Sequence, residues 1–388
     1  MDSLTTIKEI EQKLSYHKDS ITLLGVSDGL LGYSLFYYYH FLLTHDEISF
    51  NKIIYYLEKA IGKLDESYQS HKVQIEIIEA GLYLLFLNEN NLLDIEEVED
   101  ILNVFDQTIE TFLIKKIAEN DLDYTIGALR AGLYFKQRNN FKSKNLLKSV
   151  LDSIEKLSII RNDNCYWNFP LRNSEKPKIE IGLGHGVCGV IIFLLQLYES
   201  GFEKEKCIYF IEKATHFVLN QKRENGISLF KINAFEEDFL DYNNLSYGDI
   251  GIGYVLLRVG QTLNKQSIKE EAIKILENAS MYRDESELFI RDANIIYGAS
   301  GLYSIFSLLY ELTENEKFLE SKKYWLNKTL SFNKKDDKKE WAGFKTYFNG
   351  AYEFAQLGFS QGIAGIGIAL ITKEMGISSD YLKLLNYN

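Results

Sequence analysis

Two apolar patterns alternate along the chain. In residues 51–64 the apolar positions Ile53, Leu57, Ala60, Ile61 and Leu64 recur at the spacing of one helix face, and Ile268, Ala272, Ile275, Leu276 and Ala279 repeat it. This spacing predicts amphipathic helices with one buried stripe. Residues 30–43 (LLGYSLFYYYHFLL) and 366–371 are instead apolar almost all round, as an inner helix touched on every side requires. The predicted unit is an outer amphipathic helix, a turn and an inner buried helix.

The turns carry an internal repeat in which Gly-x-x-Gly, preceded by one variable residue, stands directly before an apolar run. Copies begin at Asp28, His185, Tyr247, Tyr297 and Gln361. Composition alone predicts about two Gly-x-x-Gly pairs in a chain of this length, and five are present. Two weaker copies, around Gly81 and Gly132, resemble Ser300-Gly301-Leu302-Tyr303 and are read as retaining the second glycine only. The second glycines then fall at 32, 81, 132, 189, 251, 301 and 365, which predicts about seven helical hairpins. Hairpins that contact their neighbours form an open solenoid or a closed ring. The last unit (FSQGIAGIGIAL) is as apolar as the middle ones rather than a polar cap, so the expected fold is all-α, an α/α toroid, with residues 1–388 as one domain. In such a ring the residues before the first glycines (Asp28, His185, Tyr247, Tyr297 and Gln361) are expected to face a common cavity, where helix N-termini favour an anionic group or a developing oxyanion.

Composition narrows the function classes. The chain has 388 residues, 46% of them apolar, with 43 basic against 55 acidic residues and a net charge of -12. An acidic protein without a basic, aromatic-interleaved stripe is not expected to bind nucleic acid. The longest apolar stretch, residues 29–43, falls short of the roughly 18 residues that span a bilayer, and the N-terminus lacks the apolar core of a secretory signal. Three scattered cysteines, Cys165, Cys188 and Cys207, suit neither a disulfide framework nor a paired metal motif. A cytoplasmic location is expected.

The segment Gly182-Leu183-Gly184-His185-Gly186-Val187-Cys188-Gly189 resembles the GLAHG-x-x-G motif of the lanthionine synthetase C family, with Gly184 in place of the alanine. The resemblance extends through the seven repeats. It implies an α/α toroid and the chemistry of lanthipeptide maturation, in which a peptide cysteine adds to a dehydroamino acid at a zinc ion held by two cysteines and a histidine. The matching positions here are Ser246, in Leu245-Ser246-Tyr247-Gly248, and Ile296 and Tyr297, in Ile296-Tyr297-Gly298. Neither an alkyl chain nor neutral hydroxyls replace thiolate and imidazole, so no zinc and no other cofactor is expected. Tyr242 stands where the family has an arginine.

Carried over residue by residue, the resemblance makes His185 the acid or base, Tyr247 the tyrosine beside the first ligand position, and Asp123 a match to a family aspartate. Ser246, Tyr242, Tyr297, Asp28 and Gln361 are the expected substrate contacts. Each has a plainer reading: His185 as a cap or core hydrogen-bond partner, Asp28 as an N-cap, the tyrosines as filling for vacated space. The Asp123 register is open, because taking Gly127 as a first glycine puts Arg130 at the second. Two functions follow: a zinc-independent cyclase acting on a dehydrated precursor peptide, or a non-catalytic scaffold binding that peptide or a partner dehydratase. Toroids also carry glycoside hydrolysis, but no carboxylate pair spaced across a sugar bond stands in the turns.

Overall fold

A computed structural model describes residues 2–64, 67–169, 178–235, 243–284, 288–334, 340–385 and 387. Among them run fifteen α-helices: α1 (Ser3–Tyr16), α2 (Leu30–Thr44), α3 (Glu47–Ile61), α4 (Val73–Glu89), α5 (Ile95–Ala118), α6 (Ala128–Arg138), α7 (Phe141–Leu157), α8 (Val187–Glu199), α9 (Lys204–Asn220), α10 (Asp249–Thr262), α11 (Gln266–Met281), α12 (Ala299–Thr313), α13 (Glu316–Ser331), α14 (Glu353–Leu357) and α15 (Ile363–Met375). A short antiparallel hairpin, β1 (Ile159–Arg161) with β2 (Asn164–Tyr166), pairs Ile160 with Cys165. No helix among the described residues is long and apolar enough to cross a membrane.

The chain divides into two compact units. One comprises residues 1–84 and 290–385; the other comprises residues 85–289 and 386–388. In the first, α15 packs between α2 and α12, while α3 covers α2, α13 covers α12, and α1 covers α15. The chain's first helix thus serves as the outer partner of its last inner one. In the second, α8 lies between α6 and α10, covered by α9 as α6 is by α7 and α10 by α11. The two apolar patterns sort as expected. Residues 30–39 of α2 are buried without a break, whereas α3 buries Ile53, Tyr56, Leu57 and Ala60 along one stripe.

Five tight hairpins, α2–α3, α6–α7, α8–α9, α10–α11 and α12–α13, differ from the expected unit in one respect: the inner helix pairs with the outer helix that follows it. A residue with positive φ reverses the chain just past each inner helix, at His45 (55°), Asn91 (58°), Asn139 (46°), Gly201 (82°), Asn264 (53°), Glu314 (54°) and Gly376 (65°). Left-handed backbone at a helix C-terminus satisfies the last carbonyls. Only two of the seven are glycine, so this second repeat leaves little trace in the sequence.

The Gly-x-x-Gly corners lie before the inner helices, and the structure shows why they need glycine. Gly29, Gly127, Gly186, Gly298 and Gly362 are N-caps with φ between -108° and -133°, torsions open to any residue. The constraint is space. The loop before each glycine folds back on the helix start, so that the residue after the glycine donates its amide to the carbonyl six residues before the glycine: Leu30 to Leu23 (2.9 Å), Ala128 to Asp121 (2.9 Å), Val187 to Glu180 (2.9 Å) and Ala299 to Asp292 (3.1 Å). A Cβ on Gly29 would lie 2.6 Å from Leu23 O, one on Gly127 2.5 Å from Asp123 N, and one on Gly298 2.5 Å from Asn294 N. Gly248 differs, with φ at 98°. Two predicted anchors are displaced: Gly81 sits inside α4, and Gly132 is the fifth residue of α6. The true corner of that third copy is Gly127, and buried Arg130 takes the place of its second glycine.

Gly184 and Gly186 make contrasting tests of this account. A Cβ on Gly184 meets only Ser246 O and Thr125 Oγ1, both at 3.7 Å. Gly184→Ala should leave the urea midpoint unchanged within error. Gly186→Ala drives a methyl into the Glu180 carbonyl and should cost about 2 kcal/mol or more, at the upper end for overpacking.

Candidate functional site

The site forms in the second unit, where two corners meet. In the first, Asp121 Oδ1 accepts from the Asp123 amide (3.1 Å), and Asp123 Oδ1 accepts from the amides of Thr125 (2.7 Å) and Ile126 (2.9 Å). One carboxylate oxygen of Asp123 is therefore locked by its own turn. The other, Oδ2, lies 2.7 Å from His185 Nδ1. The Thr125 hydroxyl donates to the Gly184 carbonyl at 2.8 Å, tying the two corners together beside that pair. Their side chains are 14% exposed for Asp123 and 28% for His185, so the imidazole reaches solvent while its partner is sheltered. A carboxylate oxygen accepts, so in this pair the imidazole donates from Nδ1.

A third corner supplies Ser246 and Tyr247. Asn244 Oδ1 accepts from both of their amides, at 2.9 and 3.0 Å, and the Tyr387 hydroxyl donates to the Leu245 carbonyl. The Tyr247 ring lies 6.4 Å from the His185 ring. His185, Ser246 and Tyr247 line a crevice of about 10 Å³ together with Glu180 and Lys231, close to the room one water needs. Lys231, Glu180 and Thr125 lie outside the glycine register, so no sequence signal marked them. Asp249, the first residue of α10, accepts from the amides of Leu229 (2.6 Å) and Phe230 (3.1 Å) and fixes the segment that leads into Lys231.

The remaining candidates lie in the first unit. Asp28 pairs with Lys72 Nζ at 2.8 Å and accepts from the Ser360 hydroxyl at 2.9 Å; it makes no cap bond to α2. Tyr297 donates its amide to Asn294 Oδ1 (2.7 Å) and packs its ring 4.9 Å from Phe348. Gln361 Oε1 accepts from Asn349 Nδ2 at 3.3 Å. Buried Asp292 accepts from the amides of Tyr347 (2.7 Å) and Asn294 (2.9 Å); burial raises its carboxyl pKa against the lowering effect of those amides. Tyr242 lies outside the described residues, as do Pro170 and Pro177. Trp167, beside that proline stretch, is fully buried and donates to the Ile154 carbonyl at 2.8 Å. It is a core residue.

Two features qualify the sequence reading. At α2, α6, α8 and α12 the first amide of the inner helix donates to its own corner loop, so it is not open to an anionic ligand. The positions that resemble the zinc ligands also do not fit the metal: Ile296 offers an alkyl chain and the Ser360-bound amide (3.1 Å), while Ser246 and Tyr297 offer neutral hydroxyls. Among the described residues no three His, Cys, Asp or Glu side chains gather in a metal-binding group. All three cysteines are buried, and burial pushes the thiols of Cys165 and Cys207 up to about 12 and that of Cys188 higher still.

Two outcomes are expected. In native protein at pH 8, Cys165, Cys188 and Cys207 should resist iodoacetamide, since a thiol at pKa 12 is ionised in only about one molecule in ten thousand; all three should react in denaturant. Asp123→Asn should keep the fold to within about 1 kcal/mol, because Asn244 and Asn294 cap equivalent turns through their side-chain oxygens. Asp123→Ala, which leaves two turn amides unpaired, should cost about 1–3 kcal/mol in urea unfolding.

A family model described as lanthionine synthetase C-like protein matches residues 3–385. Among solved structures, nisin cyclase is similar with a TM-score of 0.75 and 22% identity, over 99% of this chain and 96% of that one. That likeness shows the fold class expected from the repeats, an α/α toroid. A sugar epimerase from a ruminal bacterium matches with a TM-score of 0.42 and 14% identity, over 96% of this chain and 99% of that one. The comparison with curated proteins returns no match.

Proposed function

The chain belongs to the lanthionine synthetase C-like family, and from that premise we propose that it is a zinc-independent cyclase acting on a dehydrated precursor peptide in lanthipeptide maturation. The observation that carries this reading is the 2.7 Å pair of His185 Nδ1 and Asp123 Oδ2, in which the carboxylate is held by two backbone amides. In the reaction, Nε2 takes the proton of a peptide thiol as sulfur bonds to the β-carbon of a dehydroamino acid. The π electrons shift toward the α-carbon and its carbonyl, and the imidazolium returns the proton to the α-carbon. Asp123 fixes the tautomer and stabilises the imidazolium between the two steps. Tyr247 and Ser246 offer hydroxyls to the peptide beside the imidazole. In this reading residues 1–388 act as one cytoplasmic domain on a peptide delivered by a dehydratase.

A second reading, a scaffold that binds the precursor or the dehydratase without chemistry, draws on the loss of all three ligand positions. Incubation of purified protein with dehydrated precursor separates the two. Ring closure should exceed the spontaneous rate, should be unaffected by a chelator, and should fall about 100-fold or more in His185→Asn, the usual range for a lost acid-base group. Ring yield and pattern equal to the spontaneous background would assign the scaffold role, and sensitivity to chelation would remove the zinc-independent one.

A further inference from the structure

Corners are stitched to one another at a repeated position, two residues before the corner glycine. In the first unit the stitches run between backbone groups. Ile296, two before Gly298, donates its amide to the carbonyl of Ser360, two before Gly362, at 3.1 Å. Ser360 in turn donates its amide to the carbonyl of Ser27, two before Gly29, at 2.9 Å. In the second unit the equivalent residues are Thr125, two before Gly127, and Gly184, two before Gly186. The stitch is made again, but by a side chain: the Thr125 hydroxyl donates to the Gly184 carbonyl at 2.8 Å.

The change from amide to hydroxyl has a cause in the turn itself. The Thr125 amide already donates to Asp123 Oδ1 at 2.7 Å, so the link to the next corner falls to the side chain. One residue therefore holds both partners of the dyad. Its amide fixes the oxygen of Asp123 that does not meet the imidazole, and its hydroxyl fixes the peptide group that leads into His185. Beyond His185, the Gly186 amide donates to the Gly182 carbonyl (3.1 Å) and the Val187 amide to the Glu180 carbonyl (2.9 Å). Those bonds hold the histidine to its own corner, whereas Thr125 holds it to the corner that carries Asp123. The 2.7 Å contact between Nδ1 and Oδ2 tolerates little slippage between the two, because a hydrogen bond loses its geometry once the heavy atoms part beyond about 3.2 Å.

We propose that Thr125 is a positioning residue for the His185–Asp123 pair: its hydroxyl sets the spacing of the two corners that keeps Nδ1 on Oδ2, and it takes no part in proton transfer itself. The consequence for ring closure rests on the cyclase reading; the geometric role does not. Valine matches threonine in shape and lacks the hydroxyl, while serine keeps it.

Proton NMR of the full-length protein labelled with 15N-histidine tests this. An imidazole N–H held on a carboxylate is deshielded and slow to exchange, so wild type should show a downfield proton on a ring nitrogen, assigned to His185 by its loss in His185→Asn. Thr125→Val, with an unchanged circular dichroism spectrum, should lose that resonance or move it upfield, and Thr125→Ser should keep it. Thr125→Ala replaces the valine variant if that one fails to fold. With dehydrated precursor, kcat for ring closure should fall roughly tenfold in the valine variant, with KM little changed, and should recover in the serine variant. The proposal is overturned if wild type shows no such resonance, if Thr125→Val leaves it unchanged, if Thr125→Ser loses it as well, or if it is lost while kcat stays the same. Ring closure no faster than background in wild type would remove the cyclase reading instead, and the resonance would still decide the role of Thr125.

Discussion

At four corners the amide directly after the glycine is claimed by a carbonyl from six residues before that glycine. This hydrogen bond, 2.9 Å at Leu30, Ala128 and Val187, folds the preceding loop onto the helix start and leaves no room for a side chain at the glycine. It does what an N-cap side chain does elsewhere, and leaves the loop side chains for other uses. Asp28 is thereby released to pair with Lys72, Asp249 to hold the segment before its corner, and His185 to meet Asp123.

The dyad shows how a structural position becomes a chemical one. Four residues before the glycine stand Asp123, Asn244 and Asn294 in three of the corners, each accepting amides of its own turn. Only Asp123 is a carboxylate, and only its second oxygen is directed at an imidazole. The turn thus holds a charged acceptor in place at little cost in side-chain freedom, and the neighbouring corner brings His185 to it.

Much of the fold was legible because helix burial writes itself into periodicity: the stripe of α3 and the all-round burial of α2 are plain in the residue order, as is the glycine pair wherever both glycines are kept. The register failed at Gly81 and Gly132, where a mid-helix glycine beside Ala and Leu-Tyr imitates a corner. It failed again because Arg130 occupies a slot elsewhere filled by glycine. The reversals after the inner helices were hidden because Asn, His and Glu serve there as well as Gly. His185 was found by its motif, but the Asp123 contact links residues 62 positions apart through a turn whose register the glycine count could not fix.

The central claim is that Asp123 and His185 act as one proton-handling unit. A double-mutant cycle on the rate of thioether formation, using Asp123→Asn, His185→Asn and the combined variant, measures this directly. If the pair works as a unit, each single change removes most of the acceleration and the double change removes little more, giving strong non-additivity. Free energies that simply sum, with each residue lowering the rate independently of the other, would contradict the account.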